Sequence, residues 1–182
     1  MNEILDGIRV VVALSFLVYA SWSDWKKREV SNLVWVVWAP LAFALTTLQY
    51  VFSAPELWYF YAFSFITTSA LSILLFYAGA FGGADAKALM CLALALPYYP
   101  VYLLQPRMPS VLPLPLPITV FSNAALLAAL TVFYNVLRNS GWKLKTGRLL
   151  FEGLEQESFW RKLLAFISGY KVQVTDLAKS VH

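Results

Sequence analysis

Asp24 and Asp85 are the residues of this chain best placed to do chemistry. Each stands at the edge of a long apolar stretch, Asp24 in "SWSDWKK" and Asp85 in "FGGADAK". The chain has one cysteine, Cys91, and one histidine, His182. A disulfide within it is therefore impossible, and a zinc site of Cys or His ligands has almost nothing to draw on. Two facing carboxylates, without metal or cofactor, are suited to acid–base work on a water molecule. Close together they cannot both ionise cheaply, so they share one proton: one acts as base on water while the other donates to a carbonyl, as in aspartic proteolysis. Gly82 and Gly83, just ahead of Asp85, would let the backbone approach an extended peptide, or simply make a turn.

The elements that must position this pair are membrane helices. The chain is 60% hydrophobic and 13% charged, against about 25% charged in soluble domains. No Asp, Glu, Lys or Arg occurs from Val30 to Pro55, Leu57 to Ala84, Ala88 to Pro106, or Met108 to Leu137. Each run reaches the roughly 20 residues that cross a hydrocarbon core. A first span, Ile4 to Ser23, precedes them. Its leading residues include Glu3 and Asp6, and its basic cluster Lys26, Lys27, Arg28 follows the apolar stretch, so it reads as a retained helix with the N-terminus outside rather than a secretory signal.

Threading five spans from that start puts Trp25 to Asn32 inside, Ser53 to Glu56 outside, Phe81 to Lys87 inside, the proline-rich "QPRMPSVLPLPLP" outside and the tail inside. Of the 14 Lys and Arg residues, all but Arg9 and Arg107 then lie inside, as the positive-inside rule requires. The net charge of +4 follows from this topology and from contact with anionic lipid, with no call for nucleic acid. Both aspartates fall at cytoplasmic span ends. Cys91 reads as a packed residue of the fourth span.

The expected fold is an all-α polytopic membrane protein of about five transmembrane helices, residues 1–138, with a small cytoplasmic α+β appendage, residues 139–182. A short strand or hairpin is expected around Trp142 to Phe151. Beyond it Phe159, Leu163, Leu164 and Ile167 recur at helical spacing, giving an amphipathic helix suited to a membrane surface.

With both segments in view, the chain resembles a known family. "GGADAK" looks like the Gly-x-hydrophobic-Asp form of the GxGD signature of archaeal preflagellin (prearchaellin) peptidases, relatives of the type IV prepilin peptidases. "SDWKKREVSN", Ser23 to Asn32, resembles the first conserved segment of that family, and "FEGLEQESFWRKLLAFISGYKV" looks like its archaeal cytosolic region. The resemblance implies a GxGD-type membrane aspartic protease with Asp24 and Asp85 as its catalytic pair, and Gly82, Gly83 and Ala84 as its loop beside substrate. It implies no cofactor, and as partner a prearchaellin or type IV prepilin-like substrate with a hydrophobic helix, cleaved at the cytoplasmic face of the cell membrane. Ala84 departs from the strict GxGD form and Ser31 stands where proline is usual. The paired CxxC motifs of the bifunctional bacterial type are absent from the sequence, and the segment from Lys171 to His182 is too short and polar to be the sixth span of the family.

Lys87 lies two positions from Asp85 and so points to another helix face, toward headgroups first and substrate or loop second. Helix direction makes the pair unequal, because Asp85 begins a helix and Asp24 ends one. The shared proton is accordingly expected on Asp24, against the opposing influence of Lys26 to Arg28. The rival reading is a transporter or scaffold in which the two aspartates bind a cation or proton without cleaving anything.

Overall fold

A computed structural model describes residues 2–53, 55–99, 114–147 and 149–172. Its elements are α1 (Asn2–Lys27), α2 (Asn32–Ser53), a 3-10 turn (Pro55–Leu57), α3 (Trp58–Tyr77), α4 (Gly83–Ala95), α5 (Leu116–Thr146) and α6 (Phe159–Ser168). Four of these segments are long and apolar enough to cross a membrane: Glu3–Lys27, Asn32–Phe52, Pro55–Tyr77 and Leu116–Thr146.

The expected fourth span is different. α4 has 13 residues, about 20 Å of helix against a core of about 30 Å. Leu96 leaves the helical region at φ −135° and ψ 72°, because the residue before a proline, here Pro97, is pushed toward extended conformations. The count of spanning helices among the described residues is thus four rather than five, and most of the proline-rich loop, residues 105–113, lies outside them.

The chain forms two compact units, Met1–Phe121 and Ser122–His182. In the first, α4 packs against α1, α2 and α3. Small residues make the close approach possible: Ala13 and Ala20 on α1, Ala42 on α2 and Ala95 on α4 are all buried. On α3 the buried stripe Ser64, Thr68 and Ser72 recurs every fourth residue. Trp38, fully buried, stacks on Phe16 at 5.4 Å. The opposite helix faces carry exposed Val11, Leu14, Val18, Val36 and Val37, as surfaces toward lipid do. Cys91 is buried in the core cluster, as expected.

In the second unit the structure overturns the expected strand. α5 continues through Trp142 to Thr146, with the Thr146 hydroxyl donating to the Trp142 carbonyl at 2.9 Å. The helix stops at Gly147, whose φ of 65° and bond from its N–H to the Lys143 carbonyl make the left-handed helix end that glycine favours. Turns follow, and no strand occurs among the described residues. "GWKLKTG" alternates apolar and polar residues as a strand would, but Lys-Leu-Lys are good helix formers and continue α5 up to its stop at Gly147.

The amphipathic helix predicted in the tail is present as α6, and Asn139 fastens it to α5. The buried Asn139 amide donates to the carbonyls of Phe166 (3.0 Å) and Gly169 (2.8 Å) and accepts from the Lys171 N–H (2.9 Å). Arg138 lies 3.7 Å over the Tyr170 ring. Replacing Asn139 by Ala strips three bonds at once and is expected to weaken tail docking by about 2 kcal/mol. Limited proteolysis between Gly147 and Ser158 should speed up accordingly.

Candidate active site

The turn after α1 is built to present Asp24. Arg28 takes the left-handed conformation at φ 55°, and its N–H returns to the Asp24 carbonyl at 2.7 Å. Buried Ser23 donates its hydroxyl to the Glu29 carbonyl at 2.9 Å, folding the basic segment back. Lys26 and Lys27 sit in the last turn of α1, where cations suit the negative helix end. Asp24 itself is exposed, and its carboxylate makes no hydrogen bond or ion pair among the described residues.

Asp85 is held differently. Gly82 is the N-cap of α4 and Asp85 its third residue, so the carboxylate reaches back and its Oδ2 accepts the Gly82 N–H at 3.0 Å. This is the acidic half of a capping box, and it anchors one oxygen while leaving Oδ1 for another partner. The capping role and a chemical role are compatible.

Asp24 and Asp85 both line one pocket of about 120 Å³. Its walls are Leu17, Ala20 and Ser21 from α1, Val30 from the turn, Trp35 from α2, and Ala84 and Ala88 from α4. The geometry brings together Asp24, Ala84 and Asp85 from the residues singled out in the sequence. Gly82 and Gly83 adjoin the pocket through the cap. Lys87 does not line it: its ammonium donates to the Asn32 side-chain carbonyl at 2.7 Å, tying the start of α4 to the start of α2. That contact, and the aromatic wall from Trp35, were not foreseen; a lone polar Asn32 beside an otherwise uncharged span was the available signal.

The two glycines differ. A methyl group on Gly82 would come within 3.1 Å of the Asp85 Oδ2, whereas one on Gly83 would meet only the Phe76 ring at 3.8 Å. Gly82→Ala is therefore expected to push the Asp85 carboxylate aside and lower turnover about tenfold, on the scale by which small misplacements of reacting groups cost rate. Gly83→Ala should do markedly less, which side-by-side turnover measurements would show.

No group of three or more His, Cys, Asp or Glu residues that could hold a metal ion occurs among the described residues. Four helices long and apolar enough to span, with a small pocket lined by Asp24 and Asp85, describe a multi-pass helical membrane protein. The chain belongs to the type IV leader peptidase family, whose model matches residues 11–133. The match takes in both aspartates, and membership makes the protein a membrane protease of leader peptides. No curated protein and no solved structure matches it.

Proposed function

We propose that the chain is an aspartic endopeptidase that removes the short basic leader from prearchaellins or type IV prepilin-like proteins at the cytoplasmic membrane face, with Asp24 and Asp85 as its catalytic pair. The observation that carries this reading is that Asp24 and Asp85 line one pocket. The substrate's hydrophobic helix lies in the bilayer and offers its leader junction to that pocket. Asp85 takes a proton from water as the oxygen attacks the scissile carbonyl carbon, while Asp24 gives its proton to the carbonyl oxygen. Collapse of the resulting diol passes the proton on Asp85 to the departing amide nitrogen and returns one to Asp24. The Gly82 N–H holds one Asp85 oxygen in place at the start of α4.

The tail fits the same setting. Phe159, Trp160 and Leu164 of α6 are exposed next to Arg161 and Lys162, a composition suited to an anionic lipid surface.

Incubating the purified protein in lipid with a prearchaellin, and weighing the product, tests the reading. The expected result is loss of the leader, with accumulation of mature chain. A transporter or scaffold predicts an unchanged substrate mass.

A further inference from the structure

α4 ends inside the bundle, and its end is held by other helices. The Leu94 carbonyl accepts the Thr46 hydroxyl at 2.7 Å and the Tyr61 hydroxyl at 3.3 Å. The Ala95 carbonyl accepts the Arg9 Nε at 2.8 Å and the Thr46 hydroxyl at 3.2 Å. The Pro97 carbonyl accepts the Ser64 hydroxyl at 3.0 Å. A helix leaves its last carbonyls without partners, and away from water each such group costs several kcal/mol. α1, α2 and α3 thus each supply a donor to the end of α4.

Arg9 is the anchor of this arrangement. It is 4% exposed, pairs with Asp6 at 3.3 Å and donates to the Gln49 side-chain carbonyl. Gln49 in turn donates to Asp6 at 2.8 Å, and the guanidinium lies 5.7 Å from the centre of the Tyr50 ring. With its charge balanced and its direction fixed, Arg9 has one contact to α4, the Ala95 carbonyl, at the helix end that favours a cation.

α1 carries both Arg9 and Asp24, and α4 carries both Ala95 and Asp85. From Arg9 to Asp24 α1 rises about 22 Å, and from Ala95 to Asp85 α4 runs back about 15 Å. A bond between two antiparallel rods at one end sets how far each extends at the other. We infer that Arg9 is a positioning residue: its contact to the Ala95 carbonyl fixes the axial register between the two aspartate-bearing helices, with Thr46 of α2 bracing the same end of α4, and thereby aligns Asp24 with Asp85. This rests on the proposed catalytic pair.

The test uses the full-length protein in lipid and two readouts. Thr46→Val removes the hydroxyl while keeping the shape, and Arg9→Gln removes the charged donor. Both are expected to lower kcat at least tenfold with KM within about twofold, because neither residue lines the pocket beside the aspartates, and Thr46→Ser should restore kcat. Cys91, the single cysteine of the sequence, is buried on α4 and reports on register without any substrate. Its alkylation by a membrane-permeant maleimide should speed up at least tenfold in Arg9→Gln.

Wild-type kcat in both Thr46→Val and Arg9→Gln would overturn the inference, and so would a loss of activity that Thr46→Ser fails to rescue or that appears in KM alone. Should the wild-type protein cleave no leader, the proposed function fails. Cys91 then decides the register contact by itself, read in Asp6→Asn with Arg9→Gln, which leaves no charge at position 6 to destabilise the fold: unchanged protection would refute the contact, and faster alkylation would uphold it.

Discussion

Asp24→Asn and Asp85→Asn are each expected to slow leader removal by about 10²- to 10⁴-fold, the range that a positioned acid or base contributes. Neither change should unfold the protein. An asparagine at position 85 still offers a carbonyl oxygen to the Gly82 N–H, so the α4 cap survives within about 1 kcal/mol, and Asp24 has no described side-chain partner to lose. The two variants should differ in pH response. With Asp85 as base and Asp24 as the proton carrier, Asp24→Asn retains the group that activates water, and its residual activity keeps the acid limb of the profile. Asp85→Asn loses that limb. Identical profiles and equal residual rates in both would count against the division of roles, and a variant keeping more than a tenth of wild-type kcat would remove its aspartate from the mechanism.

The second large effect falls on stability. Arg9→Met is expected to cost about 3–5 kcal/mol, because it leaves the Asp6 charge in a buried position without its ion-pair partner. Both side chains of the pair are under 5% exposed. The double change Asp6→Leu with Arg9→Met removes the buried charge at position 6 as well and should recover part of the loss. Recovery should stay incomplete, because the Ala95 carbonyl still lacks its Arg9 donor. Unfolding titrations in mixed micelles would compare wild type, Arg9→Met and the double variant; equal stability of all three would show that the pair contributes nothing.

The aspartates were legible in the sequence because a charge at the end of an apolar run stands out against silent surroundings. "GGAD" likewise announced a helix start with an acidic residue in its first turn, where capping and the helix dipole both favour it. Direction of travel through the membrane then put both on one side, and one pocket lined by both agrees with that placement. The length of α4 was hidden for a physical reason. Hydropathy reports what solvent a segment tolerates and says nothing of where its backbone stops, so the uncharged run through Pro106 masked the break at Pro97. Arg9, counted in the sequence only as an outside charge, is also a buried donor to a carbonyl 86 positions away. Its spacing of three from Asp6 was the one local hint. The strand expected near Trp142 failed because its helix signals, Lys143 to Lys145 before Gly147, were outweighed by the change to a charged, mixed composition.

A peptide with a basic leader, an apolar helix and a hydroxyethylene group in place of the scissile amide tests the joint use of both carboxylates most directly. Its hydroxyl takes the place of the diol formed when water adds, and enzymes bind such mimics far more tightly than substrates, by 10²-fold or more. Calorimetric titration in lipid is predicted to show tight binding to the wild-type protein and binding weakened at least about a hundredfold in Asp24→Asn and in Asp85→Asn. Binding of equal strength to the wild type and to either variant would contradict a site in which the two aspartates face one reacting carbonyl.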